Sequence, residues 1–134
     1  MKTAGLLGGM SYESTIQYYK LINKKINNRL GNLNSAKILL YSFNFEEIEA
    51  LQRNGEWDKS GDLLGVQAKH LQDANADFIA ICTNTMHKLI DNINKHINID
   101  ILHISDAVGN SRSNYRDNYS NYNYSQNNQN NSNP

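Results

Sequence analysis

From Met1 to about Ala107, short apolar runs alternate with amphipathic stretches. This alternation is typical of βαβ units built around a parallel sheet. Four of the runs are largely continuous in apolar character, as strands buried on both faces are: residues 3–7, 36–43, 77–81 and 100–104. The pattern therefore predicts an α/β fold with one four-stranded parallel sheet flanked by helices, although it does not define the order of the strands.

The amphipathic stretches predict the helices between these strands. Residues 12–30 form the first, ended by Gly31, with a buried stripe of Ile16, Tyr19, Ile22, Ile26 and Leu30. A short helix over residues 46–53 precedes a longer one over residues 58–74, whose predicted buried stripe is Leu64, Ala68 and Leu71. The last helix follows the third strand, where helical spacing relates Met86, Leu89, Ile90, Ile93 and Ile97.

The composition changes completely beyond Val108. Residues 110–134 hold ten Asn, two Gln, five Ser and four Tyr, with no aliphatic side chain. Such a segment cannot bury enough apolar surface to fold, so we expect one domain over residues 1–107 and a disordered low-complexity tail over residues 108–134. Alternation of Tyr with Asn and Ser is also typical of self-associating tracts, which leaves a role in assembly open.

Charge and composition narrow the partners to a small molecule. Thirteen basic residues balance thirteen acidic ones, so no strong field favours nucleic acid or an anionic membrane. The longest apolar run, residues 78–82, is too short to span a bilayer, and we expect a soluble cytoplasmic protein. The four histidines lack metal-ligand spacing, so no metal is expected.

A glycine-rich turn leads from the first predicted strand into the first helix. Gly5, Gly8 and Gly9 precede Met10 and Ser11, and free amides at such a helix start favour a carboxylate or phosphate. The spacing matches neither a dinucleotide fingerprint nor a P-loop. The alternative, weighed evenly, is a purely structural turn in which Ser11 caps the helix.

The only cysteine, Cys82, ends the third predicted strand directly before a helix. Open α/β sheets bind ligands at such strand ends, and the helix dipole should lower the thiol pKa. The next residues, Thr83, Asn84 and Thr85, offer groups that could hold a carboxylate. The spacing alone slightly favours the alternative, a small buried residue with Thr83 as helix cap. A Cys-His pair with His87 or His103 is a further, weaker interpretation.

These segments together resemble the aspartate/glutamate (Asp/Glu/hydantoin) racemase family. The matching segments are residues 5–15, 35–42, 76–79, 82–88 and 102–106. The resemblance implies a Rossmann-like lobe, no cofactor, a small amino-acid substrate and proton transfer by one cysteine from each of two lobes. It also implies that Cys82 is the catalytic cysteine of the first lobe, and it assigns the substrate contacts to Met10, Ser11, Thr83, Asn84 and Thr85.

The sequence departs from the family pattern after Asp106, where the tail replaces a second lobe. We therefore expect a truncated racemase without the second catalytic cysteine, or alternatively a remnant lobe that binds a small amino acid or carboxylate without turnover. A weak homodimer could bring two Cys82 thiols together. The resemblance implies that aspartate-selective members hold the side-chain carboxylate of the substrate with basic residues. The loop over residues 44–47 contains no cation, so the sequence does not define the side chain of the substrate.

Overall fold

The computed structural model of this chain describes residues 1–83 and 87–103, without the side chains of residues 87, 88 and 103. The predicted tail lies outside the described residues. The elements in chain order are β1 (Thr3–Gly8), α1 (Tyr12–Leu30), β2 (Lys37–Ser42), α2 (Phe45–Arg53), α3 (Trp57–Asp73), β3 (Phe78–Ile81), α4 (His87–Asn94) and β4 (Ile101–His103). The predicted α/β fold is confirmed.

The four strands form one parallel sheet in the order β2-β1-β3-β4. The chain moves outward from β1 to β2 through α1, then returns past β1 to β3 and continues outward to β4. The carboxyl ends of β1 and β3 therefore lie at a topological switch point, which is where open α/β sheets bind ligands. The sheet order, which the sequence did not define, places Cys82 beside the glycine-rich turn.

Helices cover both faces of the central strands β1 and β3, which are buried as predicted. The prediction of burial was wrong for β2, because this strand lies at the sheet edge and leaves Leu40 and Tyr41 exposed by 44% and 38%. On one face, two α1 side chains pack with β1 and β3 in a cluster of buried residues: Ala4, Leu6, Ile22, Ile26, Phe78, Ala80 and Cys82. On the other face, α2, α3 and α4 contribute to a larger cluster: Leu7, Met10, Ile48, Leu64, Ala68, Leu71, Ala76, Ile79, Ile81, Ile93 and Ile97. The stripe predicted for α3 is thus buried, as is most of the stripe predicted around α4.

The first helix has the predicted bounds, but its buried stripe is different. Three residues of the predicted stripe are largely exposed, with relative exposures of 53% for Ile16, 49% for Tyr19 and 47% for Leu30. The buried residues of α1 are Thr15, Ile22 and Ile26. The prediction was therefore right for Ile22 and Ile26. It was wrong for the three exposed residues, because the polar residue Thr15 occupies a position that faces the sheet.

Smaller differences lie at element ends. The side chain of Asn44 accepts a 3.1 Å hydrogen bond from the Glu46 amide, so α2 begins at Phe45, one residue earlier than predicted. Predicted positions Met86 and Ile104 lie outside the described residues. No helix over residues 1–83 and 87–103 is long and apolar enough to cross a membrane. The same part of the chain contains no cluster of side chains suited to a metal ion.

Candidate functional site

Cys82 lies immediately after β3, and a backbone hydrogen bond fixes it against β1. Its amide donates to the carbonyl oxygen of Leu7 over 2.9 Å. The register pairs Leu7 with Ile81, so Cys82 stands one step further along, beside Gly8. The Cys82 side chain is fully buried, in the cluster on the α1 face of the sheet. The cysteine and the glycine-rich turn are therefore neighbours.

The glycine-rich turn is itself pressed against the end of β2. The Phe43 amide donates a 2.8 Å hydrogen bond to the Gly8 carbonyl. Gly9 has φ of +88°, and a Cβ atom there would lie 2.5 Å from the Phe43 carbonyl oxygen. Only glycine combines this backbone conformation with such a close backbone approach. The second strand thus fixes the shape of the turn that follows the first.

Ser11 begins α1 as its cap. Its side chain accepts a hydrogen bond from the Ser14 amide at 3.4 Å, with extended backbone angles typical of an N-cap. The Gly9 amide, which could have served an anion, instead donates to Thr15 Oγ1 at 2.8 Å. The predicted role of Ser11 as helix cap is therefore confirmed. Ser11 is half-buried, and its contact with a substrate stays a prediction.

Thr15 is the residue of this turn that the sequence interpretation missed. Its side chain is 4% exposed, and its hydroxyl donates to the Ser11 carbonyl at 3.0 Å while accepting from Gly9. A Cβ atom on Gly8 would lie only 2.7 Å from the Thr15 methyl carbon. The signal available in the sequence was a threonine four residues after the predicted helix cap, Ser11, in a turn that also contains glycines.

The structure places four of the six proposed site residues at one edge of the sheet. Met10 and Ser11 follow β1, whereas Cys82 and Thr83 follow β3. Met10 is 7% exposed and belongs to the core cluster on the α3 face. Thr83 is half-buried. Asn84 and Thr85 lie outside the described residues, so their predicted roles remain predictions.

The predicted lowering of the Cys82 pKa is contradicted. Burial disfavours the charged thiolate and raises the pKa of Cys82 to about 12. The first described residue of α4 is His87, and a helix dipole acts mainly over the helix's terminal turn. The thiol is therefore protonated at neutral pH in this structure, and a proton-transfer role needs the thiolate to be stabilised when a ligand binds.

Comparison with known proteins shows where this architecture recurs. The sequence model of the Asp/Glu/Hydantoin racemase family matches residues 7–112. A crystal structure of a Yersinia pestis protein, assigned provisionally as an Asp/Glu racemase, is 51% identical with a TM-score of 0.75. An aspartate racemase homologue from Pyrococcus horikoshii OT3 is 32% identical with a TM-score of 0.70.

The two solved structures differ from this chain in length. The match covers 80% of this chain but 46% of the Yersinia pestis protein, and 81% of this chain but 47% of the Pyrococcus horikoshii protein. The chain thus spans about half the length of these two proteins. The range matched by the family model, residues 7–112, includes Gly8, Gly9 and Cys82.

Proposed function

Because this chain belongs to the Asp/Glu/hydantoin racemase family, we propose that it forms one half of an amino-acid racemase site in which Cys82 transfers the α-proton without a cofactor. The observation that carries the proposal is the hydrogen bond from the Cys82 amide to the Leu7 carbonyl. This bond holds the thiol next to the glycine-rich turn, at the switch point of the sheet.

The proposed reaction is a proton transfer at carbon. The Cys82 thiolate takes the α-proton, the C–H electrons pass into the α-carbon and carboxylate, and the thiolate becomes a thiol. Return of a proton by Cys82 to the same face restores the original enantiomer. Inversion needs an acid on the opposite face, and Cys82 is the only cysteine among the 134 residues.

The remaining proposed contacts would orient the substrate. Thr83, Asn84 and Thr85 follow Cys82 in the chain. They would hold the α-carboxylate through hydroxyl, amide and backbone donors, and the amino group through hydroxyl and amide oxygens that accept from it. Ser11 would form a wall of the same pocket from the neighbouring turn, and Met10, whose side chain packs in the core cluster on the α3 face, would support that wall from behind. The carboxylate held there would bring the α-carbon toward the thiol, which is the geometric requirement for proton abstraction.

The state of the thiol supports a second candidate function. A fully buried thiol with a pKa of about 12 is a weak source of thiolate at neutral pH. The same lobe could therefore bind a small amino acid or carboxylate without turnover. In that case Cys82 would serve as a small packing residue beside Leu6 and Ala80, with which it shares a core cluster.

Isotope exchange separates the two functions. The purified chain is incubated with L-aspartate, L-glutamate and L-homoserine in deuterated water, with label uptake followed by mass and inversion by optical rotation. Uptake without inversion that disappears in Cys82→Ser supports proton transfer by one thiol. Binding in an NMR titration without any uptake supports the binding function instead.

The concentration dependence tests whether a second copy supplies the opposite acid. A homodimer with two Cys82 thiols across a twofold axis would give inversion that rises more steeply than linearly with protein concentration. Inversion that stays first order in protein at high dilution, or survives in Cys82→Ser, contradicts the assignment of proton transfer to Cys82 alone.

A further inference from the structure

A single side chain ties together both ends of the turn that forms one wall of the proposed site. The Thr15 hydroxyl accepts a hydrogen bond from the Gly9 amide at 2.8 Å and donates one to the Ser11 carbonyl at 3.0 Å. Between these two bonded residues lies Met10. The turn therefore closes on a buried hydroxyl that is satisfied as donor and as acceptor.

The methyl group of Thr15 has a separate contact. It fills the space in front of Gly8, where an added Cβ atom would lie 2.7 Å from it. Gly8 is the strand position beside Cys82, because Leu7 pairs with Ile81 and the Cys82 amide bonds to the Leu7 carbonyl. Neighbouring strands are about 4.8 Å apart. Thr15 is thus placed over Gly8, the strand position next to Cys82.

The burial of Thr15 and the position of its hydrogen bonds show that it does more than cap the helix. Thr15 is 4% exposed, whereas Tyr12 and Ile16 on the same helical turn are 63% and 53% exposed. A capping role already belongs to Ser11, whose side chain accepts from the Ser14 amide. The Thr15 hydroxyl instead serves atoms of the turn that precedes the helix, at Gly9 and Ser11.

We propose that Thr15 is a positioning residue of the Cys82 site, whose hydroxyl sets the place of the Met10–Ser11 wall relative to the thiol. This inference rests on the proposed function. Thr15 touches no reacting atom, so it acts on how well an amino acid is held rather than on the proton transfer itself.

Two near-isosteric variants separate the hydroxyl from the methyl group. Thr15→Val keeps the methyl over Gly8 and removes both hydrogen bonds, whereas Thr15→Ser keeps the hydroxyl and removes the methyl. Both are compared with the unaltered chain by NMR titration with L-aspartate, by amide hydrogen exchange at Gly9, and by α-deuterium uptake at saturating L-aspartate. Denaturant unfolding reports any general loss of stability.

We expect Thr15→Val to raise the dissociation constant of L-aspartate about tenfold, because two hydrogen bonds that hold the wall are lost. The Gly9 amide should exchange at least tenfold faster on the same reasoning. Thr15→Ser should restore both quantities to within about threefold. The pH dependence of deuterium uptake at saturation should keep the midpoint of the unaltered chain, because Thr15 touches no reacting atom.

Three results would overturn the inference in recognisably different ways. An unchanged dissociation constant in Thr15→Val, alongside faster Gly9 exchange, would show that the turn is held but does not shape the site. An equal loss of binding in both variants, tracking their stability, would reduce Thr15 to a packing residue. Failure of the unaltered chain to bind L-aspartate, L-glutamate or L-homoserine would remove the proposed function, and the positioning role with it.

Discussion

The amide of Cys82 donates a 2.9 Å hydrogen bond to the carbonyl oxygen of Leu7, which lies 75 residues earlier by their numbers. This bond continues the pairing of β1 with β3 beyond the last paired residues, Leu7 and Ile81. Two turns that are distant in the sequence are thereby held side by side. The fold therefore places Cys82 beside the glycine-rich turn through backbone pairing alone, which would limit the ordering cost of binding there.

The first prediction concerns the reactivity of this cysteine. Because burial raises the pKa of Cys82 to about 12 from its ordinary value of 9.0, the thiolate fraction at neutral pH should be about a thousandfold below that of an exposed cysteine. The second-order rate of iodoacetamide alkylation should be low at pH 7 and still rising at pH 10. Burial of the sulfur should slow the reaction further.

The same chain unfolded in urea provides the control, since it contains one cysteine and no other thiol. Its alkylation rate should be half-maximal near pH 9 and level off about one pH unit higher, as expected for an exposed thiol. A folded chain whose rate levels off at the same pH would contradict the assignment of a raised pKa. A rate that levels off below pH 8 would restore the lowered pKa first expected from the sequence.

The elements of this fold follow closely from the sequence, whereas the site follows only in part. Continuous apolar runs identify the strands, and for β1 and β3 also their burial, because both faces of a parallel sheet are covered at its centre. The order β2-β1-β3-β4 and the contact of Gly9 with Phe43 depend on pairings between distant residues, which periodicity does not encode. The burial of Cys82, which raises its pKa, likewise depends on side chains from several elements.

The second prediction tests the revised face of α1. Ile22 is 2% exposed and packs in the cluster with Leu6 and Phe78, whereas Ile16 is 53% exposed. Ile22→Ala should lower the free energy of unfolding by about 2 to 5 kcal/mol, because it removes buried methyl groups and leaves a cavity. Ile16→Ala should change it by less than about 1 kcal/mol.

Guanidinium chloride unfolding of the two variants and the unaltered chain measures both values. The pair is matched in residue type, helix and substitution, so helix propensity contributes equally to each. A cost for Ile16→Ala as large as that of Ile22→Ala would mean that Ile16 also packs against the core, as the predicted stripe requires.

The third prediction concerns the turn that precedes α1. Gly9→Ala places a Cβ atom 2.5 Å from the Phe43 carbonyl oxygen at a backbone φ of +88°. The steric conflict adds to the cost of the left-handed conformation, and together they should destabilise the chain by about 3 kcal/mol or more. Either the turn or the end of β2 must move.

Gly55→Ala is the matched control for backbone conformation. Gly55 has φ of +78°, but a Cβ atom added there would meet nothing within 4 Å. Its substitution should cost only about 1 to 2 kcal/mol, the penalty of the conformation itself. Thermal or denaturant unfolding of both variants gives the comparison. Equal costs would show that the chain relieves the steric conflict between the new methyl group and Phe43 without further loss of stability.

The last prediction concerns the contact between α3 and the turn that follows α4, where Gly65 faces His96. A Cβ atom on Gly65 would lie 2.2 Å from His96 Cδ2 and 2.7 Å from His96 Cγ. Gly65→Ala should therefore destabilise the chain by about 1 to 2 kcal/mol, because overpacking exceeds the roughly 1 kcal/mol that alanine contributes to a helix interior. At a helical position with open space in front of the glycine, the same change would instead raise the free energy of unfolding.

A double-mutant cycle with His96→Ala isolates the contact. In the His96→Ala background the ring is gone, so Gly65→Ala should stabilise the chain by about 0.5 to 1 kcal/mol through helix propensity alone. His96 Nε2 also lies 3.3 Å from Asp62 Oδ1, and the loss of this interaction is common to both arms that contain His96→Ala and so cancels. The free energies of unfolding of all four proteins, measured under one set of conditions, give a coupling of at least about 1 kcal/mol if the ring occupies the space in front of Gly65. A coupling near zero would mean that the turn after α4 moves away from α3 freely enough to admit the methyl group, and that Gly65 is not required for their close approach.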